Sequence, residues 1–144
     1  MEKRLLALVA LMIFAPSLAM ADIGRVKRSK GAATIERAGA AIEAKAGLVL
    51  EASDVLVTGP KSLISVTFID NSRFSAGPNS RVSLETFTFN STTHEASFVT
   101  KLEKGSLAVI SGQIAKQKPD AMRVRTPTSI LGVRGTRFIV EVAQ

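Results

Sequence analysis

The chain has 144 residues, a formal net charge of +7 and 46% hydrophobic residues, with no cysteine, tryptophan or tyrosine. The lack of cysteine excludes a disulfide framework, and a single histidine without cysteine excludes a zinc site of the usual Cys/His type. This length suits one domain with one hydrophobic core.

Residues 1–21 predict a cleaved secretory signal peptide. A short positive start precedes an apolar run at residues 5–15, which is long enough for a signal core and too short to span a bilayer. Small residues at 19–21 then offer a cleavage site, and the alternative is an uncleaved membrane anchor. We therefore expect an exported protein that begins near Asp22, is periplasmic or extracellular, and does not span the membrane after cleavage.

The positive charge persists in the expected mature chain. Cleavage removes two basic residues and one acidic residue, which lowers the net charge from +7 to +6. A basic chain raises the hypothesis of nucleic-acid binding, but export argues against it, because the envelope holds little nucleic acid. Anionic partners there are lipid head groups, lipopolysaccharide phosphates, acidic cell-wall polymers or an acidic protein surface. The alternative is that the charge only maintains solubility.

Glycine-containing turn signals recur between short segments of alternating polarity, which predicts one all-β domain over residues 22–144. The basic stretch at residues 25–30 precedes the first expected strand and is interpreted as a frayed, solvated terminus. Residues 38–50 are alanine-rich, but two glycines interrupt them, so strand and turn are favoured over a helix. The strands are expected to be short and mostly antiparallel, in a sandwich, a jelly roll or a short β-solenoid.

The central part of the chain has the clearest strand signals. Ile64, Val66 and Phe68 share one face of a buried strand, and Asp70 and Asn71 predict the tight turn that follows it. These two residue types bond their own backbone and tolerate left-handed angles.

A change of phase follows in the next segment. Val82 and Leu84 have one parity, whereas Phe87 and Phe89 have the other. One extra residue near positions 85–86 would place all four side chains on the same side, which predicts a β-bulge or a corner between sheets.

The remaining elements are predicted from alternation and turn residues. A strand from Ala96 is expected to end at Gly105, and a short apolar strand follows at residues 107–110. Residues 113–121 are polar and charged and are interpreted as a flexible connection. Residues 138–142 form the closing strand.

Four segments occur in an order and spacing that point to a known family. They read GLVLEASDVLVTG (47–59), SLISVTFIDNSRF (62–74), KGSLAV (104–109) and VRTPTSILGVRGTRFIV (124–140). Together they resemble the FecR-type domain, whose pattern has an aspartate ahead of V-x-T, a strand ending in Asp-Gly-Ser and a closing T-P…G-T-x-F. Asn71 stands where the family commonly has glycine, and asparagine also suits that turn.

The resemblance, over about residues 30–142, implies a periplasmic all-β domain. Similar domains form the outer, sensory part of membrane-spanning sigma-factor regulators, which also have a cytoplasmic segment and a membrane helix. We expect this chain to be the sensory module alone, acting in signal transduction by binding an envelope protein, with no cofactor. The alternative is a protein that binds the cell wall or an anionic polysaccharide.

Candidate catalytic groups are few. His94 falls in a polar loop and has no nucleophile-elbow pattern beside it. Asp54 and Asp70 raise the hypothesis of a carboxylate pair for glycoside hydrolysis, but both fall at predicted turns and are expected to be structural. The sequence therefore predicts no enzyme, no catalytic residue and no metal site.

The closing segment supplies the candidate binding face. Its members are Arg123, Arg125, Arg134 and Arg137, which lie on or beside the glycine-containing turn. Guanidinium groups match carboxylates and phosphates in geometry, so an anion-recognition face is one interpretation and a set of solvated arginines is the other. An envelope protein is the expected partner. A polysaccharide is the second choice, because the residues that usually stack on sugars are absent.

Overall fold

Short strands separated by tight turns make up most of the structure, a computed structural model that describes residues 21–135 and 137–143. The strands are Asp22–Lys30 (β1), Ala33–Arg37 (β2), Ala40–Glu43 (β3), Val49–Glu51 (β4), Val55–Thr58 (β5), Leu63–Phe68 (β6), Arg73–Ala76 (β7), Arg81–Asn90 (β8), Glu95–Ile110 (β9), Met122–Arg125 (β10), Ile130–Gly132 (β11) and Arg137–Val142 (β12). One helix, Gln113–Gln117 (α1), lies between β9 and β10.

The predicted signal peptide lies almost wholly outside this description. Residues 1–20 are not among the described residues, so the export signal stays a prediction. Among the residues that are described, no helix is long and apolar enough to cross a membrane.

Strand β9 belongs to both halves of one curled sheet. Up to Lys104 it pairs with β8 and, further towards its start, with β10, and from Gly105 onwards it pairs with β12 and β7. The half we call the front sheet has the order β3-β2-β5-β8-β9-β10-β11, and the back sheet has the order β4-β1-β6-β7-β9-β12. All pairs are antiparallel except β9 with β10. The expected all-β class with mostly antiparallel strands is confirmed.

Phenylalanine rings join the two sheets in a single core. Phe68 and Phe74 come from the back sheet, and Phe87 and Phe98 come from the front sheet. The ring centres of Phe68 and Phe98 lie 4.7 Å apart, and those of Phe74 and Phe98 lie 5.1 Å apart. Burying each such side chain stabilises the fold by about 1.5–3 kcal/mol, so this cluster fixes the sheets face to face.

The phase change in β8 is a β-bulge, as predicted. The pairing of β8 with β9 skips one residue, Glu85, between Leu84 and Thr86. The extra residue reverses the parity of the strand, so that Leu84 before it and Phe87 after it both contribute to the core.

The expected strand end at Gly105 is wrong. β9 continues through Gly105 to Ile110, because this glycine adopts a φ of +89° and bends the strand from the front sheet into the back sheet. The segment at residues 113–121, which was expected to be flexible, begins with a helix. Its first residues form α1, whose Ile114 is fully buried in the core.

The interpretation of residues 25–30 as a frayed terminus is also wrong. They belong to β1, which lies between β4 and β6 in the back sheet. Ile23 and Val26 are buried in the core and anchor this strand, while its basic side chains point away from the core. Pairing with β6 continues to Lys30, so this stretch is part of the sheet and not a solvated end.

Replacement of Gly105 by alanine is expected to lower the free energy of unfolding by about 2–5 kcal/mol, since a Cβ adds left-handed strain and overlap with a neighbour. The added atom would lie 2.5 Å from Cα of Ser80. Gly39→Ala is the control, because Gly39 has a φ of +79° with no atom within 4 Å of the new Cβ, so only the strain of about 1–2 kcal/mol applies. Urea unfolding of both variants measures the difference, and equal losses would contradict the crowding at β9.

Candidate functional site

Asp54 has a structural role. Arg37 donates to its two oxygens at 2.9 and 2.8 Å, and the backbone N–H of Glu51 donates at 2.9 Å. The hydrogen bond to Asp54 is also the main reason that the pKa of Arg37 is raised above its ordinary value. The side chain of Asp54 is 1% exposed, so the pair holds β2 against the turn between β4 and β5.

Asp70 is structural for the same kind of reason. It accepts hydrogen bonds from the backbone N–H of Ser72 at 3.0 Å, from the Ser72 hydroxyl at 2.8 Å and from the N–H of Ile114 at 3.2 Å. Asn71 beside it has a φ of +69°, which confirms the predicted turn. Asp70 therefore ties the β6–β7 turn to the first turn of α1, and its oxygens face backbone and hydroxyl donors instead of a cleft.

His94 lies in the exposed turn between β8 and β9 with a φ of +60°. Among the described residues, no group of three or more histidine, cysteine, aspartate or glutamate side chains is placed to hold a metal ion. Within the described part of the chain, His94 is therefore not a member of such a group.

Two of the four candidate arginines lie on β10. The strand alternates, so that Met122 and Val124 are buried while Arg123 and Arg125 are exposed. Arg125 donates to a carboxylate oxygen of Glu85 in the bulge of β8 at 2.8 Å. The bulge thus places the Glu85 carboxylate beside Arg125 of β10, although β9 lies between β8 and β10.

Asp120 lies close to both Arg123 and Arg134. The Nε–H of Arg123 donates to the carbonyl oxygen of Asp120 at 3.1 Å, and Nη2 of Arg134 lies 3.9 Å from an Asp120 carboxylate oxygen. Arg134 follows β11 and has a side chain that is 77% exposed. The structure therefore brings Arg123, Arg125 and Arg134 to one edge of the front sheet.

Arg137 lies apart from these three. It begins β12, which belongs to the back sheet, and its backbone is in register with Ile110. Arg134 and Arg137 nevertheless border a common depression of about 280 Å³, together with Leu131 and Phe138. The four arginines thus surround the connection between the two sheets without forming one flat face.

An apolar edge strand lies among the arginines, and sequence reasoning did not identify it. Ile130 and Leu131 are 67% and 39% exposed on β11, which among the described strands pairs only with β10. The available signal was an apolar pair directly after a turn-forming TPTS stretch. We call Ile130, Leu131, Arg123, Arg125 and Arg134 the β11 edge.

Comparison with known proteins identifies one related family. The family model described as FecR protein matches residues 54–144, from the start of the β5 region to the end of the chain. No curated protein and no solved structure is significantly similar to the chain.

Removal of Arg37 is expected to destabilise the protein more than removal of another ion-paired arginine. Arg37→Ala leaves the Asp54 carboxylate buried without a counter-charge, at a cost of about 3–5 kcal/mol. Arg81→Ala is the control, since its partners Glu36 and Glu103 are 39% and 37% exposed and the loss should be about 1 kcal/mol or less. Chemical denaturation of both variants gives the comparison, and a larger loss for Arg81→Ala would contradict the structural role of Asp54.

Proposed function

Because the chain belongs to the FecR protein family, we propose that it is an exported, non-catalytic sensory module of the cell envelope that docks on an envelope protein through the β11 edge. The family is a regulatory one, and its members include sensory domains of sigma-factor regulators. Periplasmic location follows in this proposal from the predicted signal peptide at residues 1–21.

The observation that carries the proposal is the exposed, half-paired strand β11. An edge strand offers a row of backbone donors and acceptors to a partner strand. Proteins usually protect such edges against pairing, for example with charged side chains or proline. Here the edge carries Ile130 and Leu131, two large apolar side chains that are 67% and 39% exposed. A partner strand added to β11 would satisfy the backbone groups and cover part of both side chains, which lie on opposite faces of the strand.

The surrounding arginines define the chemistry of the partner. The pairs of Arg134 with Asp120 and of Arg125 with Glu85 lie at the surface, so each contributes only about 0–1 kcal/mol. Such weak internal pairs exchange easily for carboxylates on another chain. The partner therefore combines apolar side chains with acidic residues along its flank.

The adjacent depression supports a binding role and not a catalytic one. The described residues that line it are Leu131, Gly132, Val133, Arg134, Gly135, Arg137 and Phe138. Arginine stays protonated in proteins and does not transfer protons at neutral pH, and the other residues have no titratable group. A depression with this lining binds and orients groups without general acid–base chemistry.

A photo-crosslinking amino acid at position 130 is expected to capture one dominant envelope protein in living cells. Ile130 is exposed, so the replacement leaves the fold intact, and the reactive group lies directly on the proposed interface. Arg125→Ala and Arg134→Ala in the same tagged protein should each reduce the yield several-fold, as expected when interfacial charges are removed. Mass spectrometry of the crosslinked product identifies the partner.

The same amino acid at position 46 is the matched control. Ala46 is exposed in the turn between β3 and β4, near the opposite edge of the front sheet. Equal capture from positions 46 and 130 would show that contact is random. Recovery of only glycan or lipopolysaccharide from position 130 would exclude the protein-docking proposal.

A further inference from the structure

The outer surface of the back sheet carries a second concentration of basic residues, on a different sheet from the β11 edge. Strand β1 contributes four exposed cations: Arg25, Lys27, Arg28 and Lys30. Its pairing with β6 shifts by one residue between Val26 and Arg28, which adds Lys27 to the exposed side. The pairing of this strand with β6 as far as Lys30 makes these cations part of the sheet surface.

Strand register aligns these cations with residues of four further strands. One row runs through Arg25, Thr67, Arg73, Ile110 and Arg137. The next row runs through Arg28, Ser65, Ser75, Ala108 and Ile139. Neighbouring strands lie about 4.8 Å apart, so the arginines of the first row recur about every 10 Å across the sheet.

Small and hydroxyl-bearing side chains form the floor between the cations. The hydroxyls of Ser65 and Ser75 lie 3.0 Å apart, and Ala108 is in register with Ser75. Thr67 lies in the neighbouring row, in register with Arg73. This leaves a shallow depression of about 440 Å³. We call it the back groove, and its main residues are Lys27, Ser65, Thr67, Arg73, Ser75 and Ala108. Arg28 does not line the depression but borders it, because its backbone is in register with Ser65, and we count it with the groove cations.

The cations of the back groove are not neutralised by the protein itself. Among the described residues, Lys27, Arg28 and Arg73 form no ion pair, and neither row contains a carboxylate. The front sheet differs, because its outward-facing Arg81 is paired with two glutamates at 2.7 and 2.8 Å. Arg25 in the first row is paired with Asp22 at 3.5 Å, but Lys27, Arg28 and Arg73 remain available to an external anion.

We propose that the back groove binds a linear acidic polysaccharide. Carboxylates of the polymer would contact Arg28, Lys27 and Arg73, and its hydroxyls would exchange hydrogen bonds with the serine and threonine hydroxyls of the floor. The groove is open along the rows, which suits an extended chain, and a cation at every second strand suits a carboxylate on every second sugar.

The composition of the groove separates this ligand from other polymers. Neutral sugars and single-stranded nucleic acids are commonly held by aromatic stacking, and the chain has no tryptophan or tyrosine. A protein partner would require larger apolar contacts at the centre than Ser65, Ser75 and Ala108 provide. Ile139 is 71% exposed in the same row, but it lies on β12 and does not line the groove. Charge and hydroxyl contacts, which the groove does offer, are the contacts that an acidic glycan makes.

The test is the affinity of the purified protein, starting at Asp22 where the described fold begins, for hyaluronate, which has one carboxylate per disaccharide. Calorimetric titration is expected to show binding, with dextran inactive and polyphosphate weaker. Arg28→Gln with Arg73→Gln should reduce the affinity about 100-fold, or about tenfold for each guanidinium removed. Tighter binding of polyphosphate than of hyaluronate, or no binding of hyaluronate, would overturn the proposal.

Two further variants separate the groove from net charge. Lys116→Gln with Lys118→Gln removes the same charge at exposed positions in and after α1 and should change the affinity less than about threefold. Ala108→Leu fills the floor without changing the charge and should lower the affinity at least about tenfold. An equal loss in the lysine variant, or an unchanged affinity in Ala108→Leu, would show that the polymer does not occupy the back groove. Circular dichroism verifies that each variant is folded.

Discussion

The bend of β9 at Gly105 is the constraint on which the rest of the structure depends. One strand serves both sheets, so the angle at this glycine decides how the sheets face each other. Ser80 stabilises the bend, since its hydroxyl accepts a hydrogen bond from the N–H of Ser106 at 3.0 Å and donates to the carbonyl of Ser106 at 3.2 Å. Any side chain at position 105 would occupy the space that Ser80 needs.

The same bend creates two outward surfaces with different chemistry. The β11 edge combines apolar side chains with weakly paired arginines, which suits a protein strand. The back groove combines unpaired cations with hydroxyls, which suits an acidic polymer. Taken together, the two proposals have one molecule contact a polymer through the back sheet while it docks on a protein through the front sheet.

Local signals in the sequence were enough to predict the fold class and several details. The parity change between Leu84 and Phe87 predicted the bulge, because side-chain alternation in a strand has a strict period of two. Asp70 and Asn71 predicted their turn, because these residue types favour local backbone hydrogen bonds and positive φ. Both features depend on residues that are neighbours in the chain.

Features that depend on distant pairing were missed or misread. Residues 25–30 were interpreted as a solvated terminus because their own sequence is basic. Their pairing partner, β6, is distant in the chain, and no local signal indicates it. Gly105 was predicted to end a strand, because glycine usually interrupts strands. In the structure the segment before Gly105 pairs with β8, and the segment from Gly105 onwards pairs with β12. The four candidate arginines are exposed, and their division between two sheets follows from the register of β10 and β12, which no local pattern indicates.

Amide hydrogen exchange on the complex of this protein with its crosslinked envelope partner tests the central claim most directly. The account predicts slower exchange at residues 130–132 in the complex than in the free protein, with unchanged exchange along β3 at the opposite edge of the front sheet. Protection confined to β3 or β4, with none at residues 130–132, would contradict docking through the β11 edge.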